Sequence, residues 1–396
     1  MDLAAQSQRA RRDEAQRLAI AFVALFFVAG IYMPFWPVWL ADRGVAPHEI
    51  GLLLGLGNWA RLATPWIGAW ADRTGRGPQL LVVVAIGVLA SLVAFGFAHH
   101  FLVLVALSLV LGLVYAPIIP LLDGMSISAA AAGRLDYGRV RLWGSASFIV
   151  ASVMGGALLE GRAPALVLWA LQGAAVMLVL AVWWLRRMPV APRVESTTPR
   201  SWSEVLRTPR FATFLAALAC LQGAHSVLYG FGTKHWLASG IPESTIGMFW
   251  GVGVIAEVVL FAHGARVSAR VGSTGLLLIA GTGATLRWTA LGTTTAIAPV
   301  FVLQLLHAAS FGAMHLGAMG WIREHIAGPA VHRATAVYTA VAAGMALGIG
   351  MPVSGLLFER FRGDAYFAMA ALAIIGTYFA WRLGRLDVVG APASVR

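Results

Sequence analysis

The sequence predicts an all-α integral membrane protein with twelve spanning helices in two related six-helix bundles. Three observations carry that prediction. Of the 396 residues, 59% are hydrophobic and only 12% charged, against about a quarter charged in an average soluble domain. The apolar residues fall in repeated runs, each able to cross a hydrocarbon core of about 30 Å at 1.5 Å per residue. Segments of the first half also recur in the second at a constant offset. A water-soluble globule could not hide this much apolar surface, and the mean hydropathy is +0.78.

Taken in order, residues 1–17 form a tail carrying Arg9, Arg11, Arg12 and Arg17, ahead of a first run too long for a cleavable leader. The expected spans are then 18–41, 48–71, 78–98, 101–123, 139–160 and 164–186, with His99-His100 alone separating the third from the fourth. Residues 187–210, rich in Pro, Ser and Arg, read as a linker. The second bundle follows as 211–238, 243–270, 273–291, 296–322, 334–358 and 363–385, with a tail at 386–396.

The net charge of +12 is not gathered into a surface for nucleic acid. Arginines occupy every second connection: "DRTGRG", "GRLDYGRVR", the linker, Arg266/Arg270, Arg323/Arg333 and Arg382/Arg385. The alternate connections hold short mixed pieces such as "ADRGVAPHE" and "ASGIPES". The positive-inside rule then places both termini in the cytoplasm and the chain in the inner (plasma) membrane. The single Cys220 lies in an apolar run, which argues against a disulfide within the chain and against thiolate metal ligation. Neither metal nor cofactor is expected.

The repeat is visible after the first external loop of each half. "WLADRGVAPHEIGLLLGLGNWAR" from Trp39 parallels "WLASGIPESTIGMFWGVGVIAE" from Trp236, with Ile50, Gly51, Gly55 and Gly57 recurring at Ile246, Gly247, Gly251 and Gly253. Two similar six-helix halves are a design of secondary transporters, with the solute site at the repeat interface.

Between spans two and three, Gly68, Asp72, Arg73, Gly75 and Arg76 form G-x-x-x-D-R-x-G-R. This resembles the loop signature of the major facilitator superfamily, at the place where that family carries it. Gly68 would let a helix approach closely, Gly75 permits a tight turn, and Asp72 can accept charge-assisted hydrogen bonds. Together they read as a conformational latch; a plain positive loop with a tight turn is the simpler alternative. The second half keeps only "GARVSARVG", without the acid, so the latch is expected to be asymmetric.

Ionisable residues far from a membrane interface are costly unless they face a cavity or a partner, so they are functional candidates by default. Counting from span ends finds Arg61, His225, Glu257, Arg287 and His307. Arg61 and Glu257 hold equivalent places in the two halves. Glu257, the only acid well inside the second half, suits a proton carrier. His225 and His315 read more simply as packed histidines.

Further site residues are implied by resemblance. "DGMSISAAAAGRLDYGRVRLWG" is similar to the span four to five connection of the oligosaccharide/proton symporters, the lactose permease branch of the superfamily. That resemblance implies that Asp123 pairs with Arg141 and that both hold substrate. "LLLIAGTGATLR" and "LQLLHAASFG" likewise place Arg287 and His307 near substrate and proton. Where that branch has its proton-carrying glutamate, three residues after the histidine, this chain has Ser310; Glu257 is the substitute. The runs "GIYMPFWPVWL" and "AEVVLFAHGARV" look still more like the phenylpropionic acid permease branch.

The resulting expectation is a twelve-helix transporter of a small organic solute, a proton symporter of an anion such as an aromatic carboxylate. Arg61, Asp123, Arg141, Arg287 and His307 would bind the solute, and Glu257 with His307 would carry the proton. Trp36, Trp39, Tyr115, Trp143, Tyr229 and Trp250 are available as aromatic surface, though packing or interface anchoring is the simpler reading for most of the tryptophans. The partners are the solute, protons and the lipid bilayer, and the chain is expected to be a monomer. A sugar or nucleoside symporter, a drug/proton antiporter and a non-transporting sensor stay open. An enzyme is not expected, because no HExxH, no Cys/His cluster and no phosphate-cradling glycine loop is present.

Overall fold

The computed structural model describes residues 3–186, 208–326 and 330–389. The expected linker therefore lies outside the described residues except for 208–210, as does most of the C-terminal tail. Every element among the described residues is helical, and the twelve expected runs fall on helical stretches, several of them interrupted. The first six are α1 (Leu3–Asp42), α2 (Pro47–Trp59, continued by Thr64–Thr74), α3 (Gly77–Phe95), α4 (Phe101–Ala131), α5 (Tyr137–Leu159) and α6 (Leu166–Leu185). The second six are α7 (Pro209–Ala238), α8 (Glu243–Ala262), α9 (Ser273–Thr293), α10 (Ile297–His325), α11 (Ala330–Thr339, continued by Leu347–Phe361) and α12 (Ala365–Val389).

Nine helical stretches of the described residues are long and apolar enough to cross a membrane, one of them spanning both α11 and α12. The other two expected spans are α2, which is broken, and α9, which is diluted by Arg287 and its threonines.

The break in α2 is chemical. Pro65 has no N–H to give the Arg61 carbonyl, so the Thr64 N–H takes it instead and residues Ala60–Ala63 tighten into a 3-10 turn. Two π turns interrupt the second half of the chain at Leu228–Gly232 and Ala308–Ala313, and a third lies within α11. The eighth span is shorter than its expected 243–270. His263 leaves helical geometry (φ −104°, ψ 6°), and Gly264–Val271 forms a separate short helix.

The chain divides into two compact units. The first contains Met1–Ala46, Leu56–Val194 and Trp236–Gly251. Here α5 turns its small residues toward α1: Ser147 Oγ donates to the Val23 carbonyl at 2.7 Å, and a Cβ on Gly30 would fall 2.7 Å from that of Ala151. The beginning of α8 packs on α5 through Gly247, which stands against the Ser152 carbonyl. Trp36 and Trp39 stack at 4.7 Å and meet Phe95 edge-on, while Arg43 Nη2 donates to the last carbonyls of α3, Phe95 and Gly96, at 3.3 and 3.1 Å. Both tryptophans are at most 2% exposed, so they are core residues, the packing role read as the simpler one for most tryptophans of this chain.

The second unit contains Pro47–Gly55, Glu195–His235 and Val252–Arg396. The beginning of α2 joins it because Gly51 lies against α11: a Cβ there would sit 2.5 Å from the Met351 carbonyl oxygen. His48 Nδ1 and Glu359 Oε2 meet at 2.6 Å beside that contact. The core is aromatic, with Phe214 stacked on Trp321 at 4.3 Å.

At one end of this unit Asp387 ties four helices. Its Oδ1 accepts from Arg210 Nε at 2.5 Å and lies 3.5 Å from His325 Nε2. Its Oδ2 accepts from Thr274 Oγ1 at 2.9 Å and Trp321 Nε1 at 3.2 Å. An acid this well matched on α12 is expected to be structural. Asp387→Asn should lower the stability of the purified protein by about 2 kcal/mol, read by thermal unfolding in detergent, because Arg210 loses its partner. An unchanged midpoint would show that the hub contributes nothing.

Candidate functional site

In the second unit the expected residues Arg287, His307 and Glu257 come together. Arg287 lies on α9 and is 1% exposed. Its Nη2 donates to Gln304 Oε1 at 2.6 Å, and its Nη1 to Ser310 Oγ at 3.0 Å and His307 Nδ1 at 3.2 Å. The guanidinium stacks 4.8 Å from the Trp288 ring. Glu257 Oε2, on α8, stands 3.2 Å from the other ring nitrogen, His307 Nε2. Gly253, one turn earlier on α8, leaves room for the imidazole, and Phe311 stacks on its face at 5.2 Å.

The order of protons along this chain follows from the donor inventory. A guanidinium has no acceptor, so Nδ1 of His307 must accept from Arg287. The ring is then neutral, its one N–H is on Nε2, and that hydrogen points at the Glu257 carboxylate. The π turn Ala308–Ala313 begins directly after His307 and carries Ser310 into the Arg287 contact; such turns are frequent at functional sites. Ser310, which replaces the acid implied by resemblance, is thus a ligand of the arginine.

The cluster is not saturated. Arg287 Nε, Gln304 Nε2 and His225 Nε2 have no hydrogen-bond partner among the described residues. Each buried polar atom left unmatched costs about 1–3 kcal/mol, so a polar solute group or water would be well received here. His225 is fully buried with Nδ1 at 2.9 Å from the Leu221 carbonyl, and its ring lies 6.2 Å from that of His307.

In the first unit two arginines lie in separate settings. Arg141, at the start of α5, is 3.7 Å from Asp123 Oδ1, and Tyr137 Oη donates to the same oxygen at 3.0 Å. Its guanidinium covers the Phe26 ring at 4.1 Å. Asp123 lies on the second stretch of α4, beyond a turn at Ala116-Pro117. Arg61, held in the 3-10 turn of α2, lies near Tyr32 and Tyr115, whose rings are 6.2 Å apart.

Of the loop signature, Gly75 adopts φ 65° and ends the second stretch of α2, as its turn requires. Arg73 and Arg76 are exposed. A Cβ on Gly68 would meet nothing within 4 Å, so the close helix approach expected there is not made in this arrangement. The side chain of Asp72 lies outside the described residues.

Gln304, Ser310 as an arginine ligand, and Tyr137 and Tyr32 as partners of charge went unread in the sequence. Gln304 had a usable signal: it is a polar residue one helical turn before His307 in the apolar run "FVLQLLH".

The pattern of the MFS_1 like family matches residues 15–369. The chain belongs to the MFS_1 like family. It is therefore a multi-pass membrane transporter of the major facilitator type, not an enzyme. Over 361 residues, 90% of this chain and 94% of the other, it is 36% identical to the "Probable 3-phenylpropionic acid transporter" of Escherichia coli (strain K12). Maltose permease of Geobacillus stearothermophilus is 26% identical over 364 residues, 90% of this chain and 91% of its own. The crystal structure of nucleoside transporter NupG superposes with a TM-score of 0.78 at 16% identity, covering 94% of this chain and 99% of that one. At that identity the likeness speaks for the fold alone.

Proposed function

We propose that this transporter is a proton-coupled symporter of a small organic anion, an aromatic carboxylate, working by alternating access. The observation that carries this reading is the chain of three ionisable side chains, with Arg287 on one nitrogen of His307 and Glu257 on the other. A solute carboxylate is a bidentate match for a guanidinium. On binding Arg287 it draws the Nη1 donor away from His307 Nδ1, and that nitrogen becomes free to take a proton. The imidazolium so formed is neutralised by Glu257. Solute and proton thus load together, and His307 releases the Nδ1 proton when the arginine contact is restored, with Glu257 neutralising the imidazolium in between.

Arg61 and Arg141 add positive charge in the first unit. Asp123 and Tyr137 hold Arg141, and Tyr32 and Tyr115, near Arg61, offer rings that a phenyl group would stack on. The name of the E. coli relative points to the same chemistry. Asp123, Tyr137 and Arg141 also form a set of donors and acceptors suited to hydroxyl groups, which favours a sugar as the second reading.

In this proposal residues 18–186 and 211–385 act as the two bundles of one monomer, joined by the linker 187–210. The tails 1–17 and 386–396 face the cytoplasm from the inner membrane, and Gly68, Asp72, Arg73, Gly75 and Arg76 form and break a latch between states. The test is a panel of phenyl-substituted carboxylates, sugars and nucleosides, first in thermal shift on the purified protein and then as uptake into proteoliposomes under an imposed pH gradient. Stabilisation and gradient-driven uptake of the carboxylates alone are expected. Uptake of a sugar or nucleoside in their place would overturn the substrate class, and uptake indifferent to the gradient would overturn the coupling.

A further inference from the structure

A groove of about 680 Å³ runs along the second unit between α9 and α12, with Leu278, Thr285 and Leu286 on one wall and Ile374, Tyr378 and Trp381 on the other. It is separate from the arginine cluster. Leu286 is 60% and Ile374 56% exposed, whereas Arg287, the next residue along, is 1% exposed. From Leu278 to Thr289 the groove follows α9 for about 16 Å, about half the thickness of a hydrocarbon core.

The groove is rich in threonine yet apolar in character. The Thr285 hydroxyl donates to the Gly281 carbonyl at 2.8 Å and the Thr377 hydroxyl to the Ala373 carbonyl at 2.7 Å. Both hydroxyls are thereby spent on their own helices, leaving methyl groups for whatever lies in the groove. Toward the end of α12 the aromatic wall gives way to Arg382 and Arg385, both exposed, with the Arg385 guanidinium 5.1 Å from the Trp381 ring. Apolar trough, interfacial aromatics and paired cations therefore succeed one another along a single helix.

We propose that this groove binds one anionic phospholipid. An acyl chain lies along the Leu278–Thr289 face, the glycerol region meets Tyr378 and Trp381, and the phosphate headgroup is held by Arg382 and Arg385. Tryptophan and tyrosine settle at headgroup depth, and a basic residue near the membrane surface favours anionic lipid by about fivefold. The rival occupant is a helix of a second copy. A helix seated there would leave both arginines without an anion.

The test is native mass spectrometry of the full-length transporter released from micelles containing phosphatidylglycerol or phosphatidylcholine, a readout independent of transport. One phosphatidylglycerol should be retained at least fivefold over phosphatidylcholine. The double substitution Arg382→Gln/Arg385→Gln, at exposed positions, should bring the two lipids to parity without loss of phosphatidylcholine. Thr285→Trp should displace both. Equal retention by the unaltered protein, or an anionic preference that survives the double substitution, overturns the proposal. A dimer dissolved by Thr285→Trp would also overturn it, by giving the groove to a second copy.

Discussion

Glu257→Gln is expected to abolish accumulation of solute driven by a proton gradient while leaving solute exchange across the membrane intact. Glutamine matches glutamate in shape, and its amide oxygen can still accept from His307 Nε2, which stands 3.2 Å from Oε2 in the native protein. What it cannot do is balance or receive a proton. With one proton per solute, a gradient of two pH units supports up to about 100-fold accumulation, since each unit is worth about 1.4 kcal/mol. In proteoliposomes the unaltered protein should approach that ratio and the variant should stop near equality. Counterflow, in which loaded carrier returns loaded, needs no net proton movement and should persist. A variant that accumulates solute as the native protein does would remove Glu257 from the coupling; loss of counterflow as well would make it part of solute binding.

Arg287→Met is expected to weaken solute binding by about 30- to 4,000-fold, the equivalent of about 2–5 kcal/mol for truncating one member of a buried charged pair. Methionine keeps much of the apolar stem and its contact with Trp288 but removes all five donors. Gln304, Ser310 and His307 each then lose a partner, so stability must be measured beside affinity. A thermal midpoint that falls without solute, together with a normal solute-induced shift, would make Arg287 a structural residue only. A near-native midpoint with no solute-induced shift would assign it to the solute. His307 adds a distinguishing signature: freed from Arg287, its Nδ1 can be protonated without solute, so proton leak through Arg287→Met vesicles should exceed that of the native protein.

Much of the architecture was legible from residues alone because the bilayer imposes length and polarity on every span. The repeat at Gly51 and Gly247 is a good example. Both glycines were read as signs of duplication, and both prove to be places where the start of an even-numbered helix touches a neighbour's backbone. The candidate charges were legible for a related reason: an arginine in an apolar run, such as Arg287, has to be held by something.

What holds it was not legible. Glu257, Arg287 and His307 lie on three helices, and Gln304 and Ser310 look unremarkable in sequence until the π turn after His307 rotates Ser310 onto the guanidinium. The membership of Pro47–Gly55 in one unit and Trp236–Gly251 in the other was equally hidden, because it depends on which backbone each glycine lets through. By itself the sequence determined the class, the apolar runs and the ionisable residues within them, since hydropathy and the cost of buried charge are properties of single residues. Only the tertiary structure decided which of those residues share protons, since a hydrogen bond exists only where donor and acceptor from distant segments meet within about 3 Å.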